Sequence, residues 1–304
     1  MASWRRRPLL TGALIIGGLV VAFLVVVAAV SGGGRGLARG GKVAVVEVTG
    51  VMVDSTKVVR ALRRHGANPA VRAIVLRIDS PGGGVGPAQE IFEEIKRIRQ
   101  KEQKKVVASM GAIAASGGLY VAMAADRVVA NPGTITGSIG VLVQFLNLEG
   151  LGEKVGVRAV VVKSGPFKDI GSPARPMSDE DRRVLQAVIN DVYEQFVRTI
   201  VVERGLPEAE VRKFADGRVF SGRQAKDLGL VDAEGNLWTA IHEAAVLANI
   251  PGEPTVIFPE EPRVSLIDLL TGRALAVLRE RLGTGLAADA IFGPSLRVQY
   301  LLAP

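Results

Sequence analysis

The sequence predicts an α/β domain with a largely parallel sheet, preceded by one N-terminal transmembrane helix. From residue 43 onward, short β-branched runs alternate with helical patterns, which is typical of strands joined by crossover helices. Before that point, residues 9–30 carry no charge. At about 1.5 Å per residue they can cross a hydrocarbon core of roughly 30 Å, so they favour a membrane anchor.

The flanks of that apolar stretch define the rest of the N-terminal organisation. Three arginines at 5–7 precede it and three basic residues follow it by position 42, so the positive-inside rule does not fix its orientation. A cleaved signal peptide is the alternative, but such peptides have shorter apolar regions and end at a small-x-small site. We therefore expect a tail at 1–8, an anchor at 9–30 and a flexible glycine-rich linker at 31–42.

The composition excludes several kinds of site. The 304-residue chain has no cysteine, which rules out disulfides, zinc-thiolate sites and thiol nucleophiles. Residues 36–42 have the spacing of a phosphate-binding loop, but Val43 replaces the hydroxyl residue that would hold magnesium. We therefore expect no cofactor and no metal. The net charge of +8 is assigned to an anionic lipid surface in preference to nucleic acid, because of the predicted anchor.

The catalytic domain is predicted to cover residues 43–250, followed by an extension at 251–304. Strands are expected at 43–54, 71–79, 104–110, 127–130 and 159–163, and helices at 56–65, 87–103, from about 115, and at 178–203. In the last helix Ser178 is the expected N-cap, and an apolar stripe from Val184 to Phe196 predicts core packing. After Ile250 the sequence becomes proline-rich and acidic, so we expect the chain to leave the domain. Residues 265–282 could form an amphipathic helix.

Ser116 is the candidate nucleophile. It lies in GAIAASGGLY, after a predicted strand and at the start of a helix, beside glycines that let a peptide backbone approach closely. A helix N-terminus also favours the negative charge that develops when a hydroxyl attacks a carbonyl. A serine N-cap with glycines for tight packing explains the pattern equally well when it is taken alone.

The general base is expected to be a lysine. His65 lies in a basic helix and His242 near the end of another, and neither is in a loop beside a strand. A lysine can act as base if burial lowers its pKa from about 10.4 toward neutrality. Lys168 lies in SGPFKDIGSP, in unusually apolar company, whereas Lys163 ends a predicted strand and is better explained as a structural charge. An ordinary surface lysine remains the alternative for Lys168.

Two glycines are candidates for binding the oxyanion. DSPGGG at 79–84 ends a strand and opens a helix, so its backbone N–H groups can converge on one point. We expect the N–H groups of Gly83 and of Gly117, the residue after the nucleophile, to bind the developing charge. Ser138, in NPGTITGSIG, could hold the lysine amine in position. Glycine turns without a ligand are common, so each of these motifs is weak by itself.

Together these segments resemble the signal peptide peptidase A family over roughly residues 43–247. The resemblance is carried by VLRIDSPGGG, MGAIAASGGLYVAMAADRVVANPGTITGSIGV, KSGPFKDIGSP and GRVFSGRQAKDLGLVD. It implies a crotonase/ClpP-like fold and a Ser-Lys dyad that degrades signal peptides after their release from preproteins. By position, Ser116 matches the family nucleophile, Lys168 the base, Ser138 the hydroxyl that orients the lysine, and Gly83 an oxyanion donor.

The resemblance also implies where the chain works and with what. The catalytic domain would lie outside the cytoplasm on a single-pass anchor in the cell membrane, with residues 1–8 in the cytoplasm. A homo-oligomer whose dyad is shared between neighbouring copies is expected, with signal peptides and other hydrophobic peptides as substrates. Three alternatives stay open: a protease of the same fold acting on stomatin-like partners, a crotonase-type acyl-CoA enzyme, and a non-catalytic scaffold.

Overall fold

A computed structural model describes residues 17–23, 41–259 and 299–301 of the chain. The chain divides into two compact units, residues 1–41 and 42–304. In the first unit, residues 17–23 are helical and exposed. Within the described ranges, no helix combines the length and the apolar character that crossing a bilayer requires. The predicted anchor and linker lie mostly outside the described residues, and the predicted helix at 265–282 lies wholly outside them.

The second unit alternates strands and helices, as the sequence predicts. Its strands are β1 Lys42–Thr49, β2 Val71–Ser80, β3 Gly82–Gly84, β4 Lys105–Ala115, β5 Arg127–Ala130, β6 Ile135–Gly137, β7 Val219–Ser221, β8 Ala233–Glu234, β9 Thr255–Ile257 and β10 Gln299–Leu301. Its helices are α1 Thr56–Ala67, α2 Val85–Lys101, α3 Gly117–Ala122, α4 Glu149–Lys154, α5 Asp179–Arg204, α6 Glu208–Phe214, α7 Gly222–Asp227 and α8 Leu237–Leu247.

The main sheet has the order β7-β6-β4-β2-β1-β9, with β5 and β8 branching from β4. The pairs β1/β2, β2/β4, β4/β5 and β4/β6 are all parallel, whereas β6/β7 is antiparallel. Strand β4 is long enough to pair with β5 through its first half and with β6 through its second half. This arrangement confirms the α/β prediction and its largely parallel sheet.

Helices cover both faces of the sheet. Along β1, Ala44, Val46 and Val48 belong to the core cluster that includes residues of α1, α2, α3 and α5. Val43 and Val45 point to the other face, where they pack in the cluster formed with α8. Because successive strand residues face opposite sides, a strand between two helical layers must be apolar at nearly every position. The continuous valine-rich runs of β1 and β2 meet that requirement.

Three predictions about elements need correction. Residues 159–163 form no strand in the described chain, and Val160 and Val162 are 90% and 97% exposed, because no neighbouring strand pairs with them. The predicted domain end at Ile250 is too early for the sheet, since β9 pairs with β1 in parallel. On α5, Phe196 is buried as expected, but Val184 and Val188 are exposed, so the N-terminal half of the stripe does not pack in the core.

Candidate active site

Ser116 occupies a sharp turn between β4 and α3. Its backbone has φ 53° and ψ −115°, a conformation that costs a side-chain-bearing residue about 1–3 kcal/mol and is concentrated at functional sites. The backbone N–H donates to the carbonyl of Gly137 at 2.8 Å, which fixes the turn against β6. The residue is fully buried, and its Oγ has no hydrogen-bond partner among the described residues. A buried hydroxyl left without a partner is an exception that calls for a functional explanation.

The glycine strand β3 is held by backbone and by Ser80. The Ser80 Oγ donates to the Gly50 carbonyl at 2.6 Å and accepts from the Gly82 N–H at 3.1 Å. On one edge of β3, the Met52 N–H donates to the Gly82 carbonyl at 2.8 Å and the Gly84 N–H donates to the Met52 carbonyl at 2.7 Å. Since backbone groups alternate along a strand, the N–H and C=O of Gly83 face the opposite edge.

Close packing at Gly118 brings the nucleophile turn against the end of β2. A Cβ at Gly118 would lie 2.9 Å from the Ser80 carbonyl oxygen, so only glycine permits this approach. The helix that begins at Gly117 also contacts β3. The structure therefore brings the Ser116–Gly117 turn and the Gly83 strand together, as the sequence predicts.

Ser138 lies beside Ser116 at the carboxyl ends of two paired strands. Ala115 of β4 is in register with Gly137 of β6, and the next residue on each strand is a serine with φ 53°. Ser138 is buried, and its N–H donates to the Arg218 carbonyl at 2.8 Å. Two serines in the same unusual conformation at adjacent strand ends form one polar corner of the site.

Lys168 is the predicted residue that a single chain does not bring into the site. It is exposed in a turn, where its backbone N–H donates to the Gly165 carbonyl at 3.2 Å. Its ammonium makes no hydrogen bond or ion pair with any described residue, so it contacts neither Ser116 nor Ser138. Phe167 beside it is 43% exposed. The expected apolar enclosure around Lys168 is therefore not formed within one copy.

An ion-pair network orders the segment that carries Lys168. Asp169 accepts from Lys163 Nζ at 2.6 Å and from Arg175 Nη2 at 2.9 Å. Arg175 also donates to the buried carboxylate of Asp181, in the first turn of α5, at 2.5 Å. The Arg175 guanidinium, and then Lys163, hold the pKa of Asp169 well below its ordinary value. Lys163 is thus a structural charge, as the sequence predicts.

Comparisons with known proteins place these features in a family. A model of peptidase family S49 matches residues 98–251, a range that includes Ser116, Ser138 and Lys168. A Synechocystis protein named as a candidate protease is 46% identical over 233 residues, 76% of this chain and 83% of its own length. The chain belongs to peptidase family S49. It is a serine peptidase of the signal peptide peptidase A group within that family.

Longer S49 relatives are matched over a smaller part of their length. The chloroplastic serine protease SPPA of Arabidopsis thaliana is 34% identical over 232 residues, 75% of this chain and 34% of its own length. Protease 4 of Salmonella typhi is 33% identical over 263 residues, 83% of this chain and 42% of its own length. The S49 peptidase therefore spans less than half of these two relatives.

The two histidines of the S49 peptidase do not contribute to this site. His65 is buried on α1, where burial first, and then Arg64 and Lys104, lower the pKa of its ring. His242 is exposed on α8, which packs on the face of the sheet opposite α3. Neither ring makes a hydrogen bond with Ser116 in the part of the chain that the structure describes. This placement agrees with the expectation that the base is not a histidine.

Sequence reasoning missed the residues that support the catalytic candidates. Ser80 and Met52 hold β3 in place, and Arg175 and Asp181 anchor the Lys168 segment. For Ser80, its position between Asp79 and the glycine run was a usable signal, because serine side chains commonly bond backbone groups in turns. Met52 acts through its backbone, so its side chain gave no signal.

Proposed function

We propose that the chain is a serine endopeptidase that hydrolyses hydrophobic peptides, released signal peptides among them, through Ser116 and Lys168. The observation that carries this proposal is the Ser116 hydroxyl, which is buried, has no partner in the described chain and lies on a strained turn. The N–H groups of Gly83 and Gly117 lie on the two segments that meet at this turn. A nucleophile and oxyanion donors are thus already positioned before a substrate binds.

The chemistry follows from these positions. The neutral Lys168 amine accepts the Ser116 proton as Oγ attacks the scissile carbonyl, and the N–H groups of Gly83 and Gly117 bind the oxyanion. One such donor is worth about 3 kcal/mol in the transition state. The lysine ammonium then donates its proton to the leaving amine. Water, deprotonated by the same amine, hydrolyses the acyl-enzyme, and Ser138 orients the amine through its hydroxyl.

A second copy of the chain completes the site in this proposal. Lys168 is exposed and has no ion-pair partner among the described residues, while Ser116 is buried on a different part of the domain. The same segment presents Val160 and Val162 to solvent, and an exposed apolar edge of this kind favours pairing with another chain. We therefore assign the base at each Ser116 to the Lys168 of a neighbouring copy in a homo-oligomer.

The remaining organisation is proposed on the sequence. A crotonase/ClpP-like domain would work outside the cytoplasm, held by the anchor at 9–30 with residues 1–8 in the cytoplasm and the linker at 31–42. This placement puts a site for extended apolar peptides next to the bilayer that releases them. The extension after the domain is addressed below, because part of it lies at the site.

Labelling with a serine-directed phosphonate tests the proposal. Wild-type protein should react at Ser116, located by mass spectrometry, and Ser116→Ala should not react. Lys168→Ala should lose peptide turnover and most of the labelling while it still binds peptide. Lys154→Ala, an exposed lysine on α4, serves as the matched control and should behave as wild type. Labelling at another serine, or normal turnover by Lys168→Ala, would show that the assignment is wrong.

A further inference from the structure

The chain places one of its own segments along the glycine strand of the site. Strand β10, residues 299–301, pairs antiparallel with β3, with Tyr300 opposite Gly83. Strand β10 also contacts α3, the helix that follows Ser116. The two strands form a separate sheet of their own, so β10 is not an extension of the main sheet.

The pairing uses the backbone groups that matter for catalysis. Gly82 and Gly84 are already bonded to the Met52 backbone on the other edge of β3. The free N–H and C=O of Gly83 therefore face the edge along which β10 lies, and Tyr300 is the residue aligned with them. The proposed oxyanion donor is thus covered by a backbone of the same chain.

The glycine strand is suited to binding a peptide by its backbone alone. β3 consists of three glycines, so it offers an incoming strand no side chains. A peptide that adds to such an edge gains main-chain hydrogen bonds, whatever its sequence. Such an edge accepts an extended single strand and excludes a folded helix or an internal strand of an intact sheet.

We propose that residues 299–301 occupy the substrate strand of the peptidase and act as an intramolecular competitor. A peptide substrate must displace them before its carbonyl can reach Gly83 and Ser116. This inference rests on the proposed function for the identity of the site. Because an occupied site lowers apparent affinity by the fraction of sites that are free, the segment raises KM and leaves kcat unchanged once substrate is bound.

Substitution of Tyr300 tests the pairing through the backbone. Tyr300→Pro removes the N–H that faces the Gly83 carbonyl, whereas Tyr300→Ala keeps it. In the full-length chain, Tyr300→Pro should lower KM for a fluorogenic apolar peptide by about three- to tenfold at constant kcat, the effect of losing one backbone hydrogen bond. Tyr300→Ala should stay within about twofold of wild type. Equal KM in all three proteins would overturn the proposal, as would an equal decrease in both variants.

Amide hydrogen exchange tests the same contact without any turnover. In a Ser116→Ala background, Tyr300→Pro should speed exchange at Gly83 by at least about tenfold, while Gly82 and Gly84 stay protected by Ser80 and Met52. An unchanged Gly83 rate would overturn the competitor role, even in a protein that cleaves peptides. Faster exchange in a protein that never labels at Ser116 would instead support the pairing and contradict the proposed function.

Discussion

Gly83 is fixed by contact with another backbone. A Cβ at this position would lie 2.3 Å from the Met52 carbonyl oxygen, and its φ of 155° is one that side-chain-bearing residues rarely adopt. We expect Gly83→Ala to displace β3, to abolish phosphonate labelling and to lower the free energy of unfolding by about 1–3 kcal/mol. Gly86→Ala is the matched control, because nothing lies within 4 Å of its added Cβ. Denaturant titration and labelling of both variants provide the measurement, and a labelled Gly83→Ala would contradict this role.

The residues that could be predicted from sequence share one property: their role depends on nearby backbone. Ser116 and Gly83 were recognised because a serine or glycine run directly after a strand has few structural explanations. The surroundings of Lys168 could not be predicted in the same way, because burial depends on chain segments far away in sequence or in another copy. The apolar neighbours of Lys168 indicated a pocket, yet Phe167 is itself partly exposed.

The segment that carries Lys168 depends on charge for its order. Asp169 receives hydrogen bonds from Arg175 and Lys163, and its lowered pKa means that this pairing stabilises the segment at any pH above the ordinary carboxyl range. Protonation would release it only as the pH falls below that range. We therefore expect the ion pairs to persist from pH 8 down to about pH 5, the interval over which an ordinary aspartate is also charged.

Asp169→Asn tests this element directly. Loss of the charge should loosen the segment and reduce turnover by about ten- to hundredfold, because Lys168 would no longer be held in a reactive position. Asp227→Asn, an exposed aspartate on α7, should leave turnover unchanged. Peptide turnover and thermal melting of the two variants separate lost positioning from lost folding. A fully active Asp169→Asn protein would contradict the role given to the network.

Prediction of the elements succeeded where a segment meets its partners inside the domain. Strands β2 and β5 were placed within one residue because burial on both faces imposes a continuous apolar pattern. The valines at 160–162 carry a similar pattern and form no strand in the described chain, since strand formation also needs a neighbouring edge. Composition alone cannot show whether that edge comes from the same copy or from another.

At the scale of the whole molecule, a dyad shared between copies predicts complementation. Ser116→Ala and Lys168→Ala proteins are each expected to be inactive. Mixed during assembly in equal amounts, they should regain about a quarter of wild-type activity, because a random ring pairs an intact serine with an intact lysine at that frequency. Peptide turnover of the mixture, beside each variant alone, is the measurement. No recovery after demonstrated mixing of subunits would show that the dyad forms within one copy.

The position of β9 has a consequence for how the protein can be divided. By pairing with β1, residues 255–257 cap a row of main-chain groups that would otherwise form the border of the main sheet. A recombinant fragment that stops at Ile250, where the proline-rich stretch begins, would leave that border bare. Naked strand borders recruit other polypeptides, so such a fragment should precipitate where one that continues through Phe258 stays in solution.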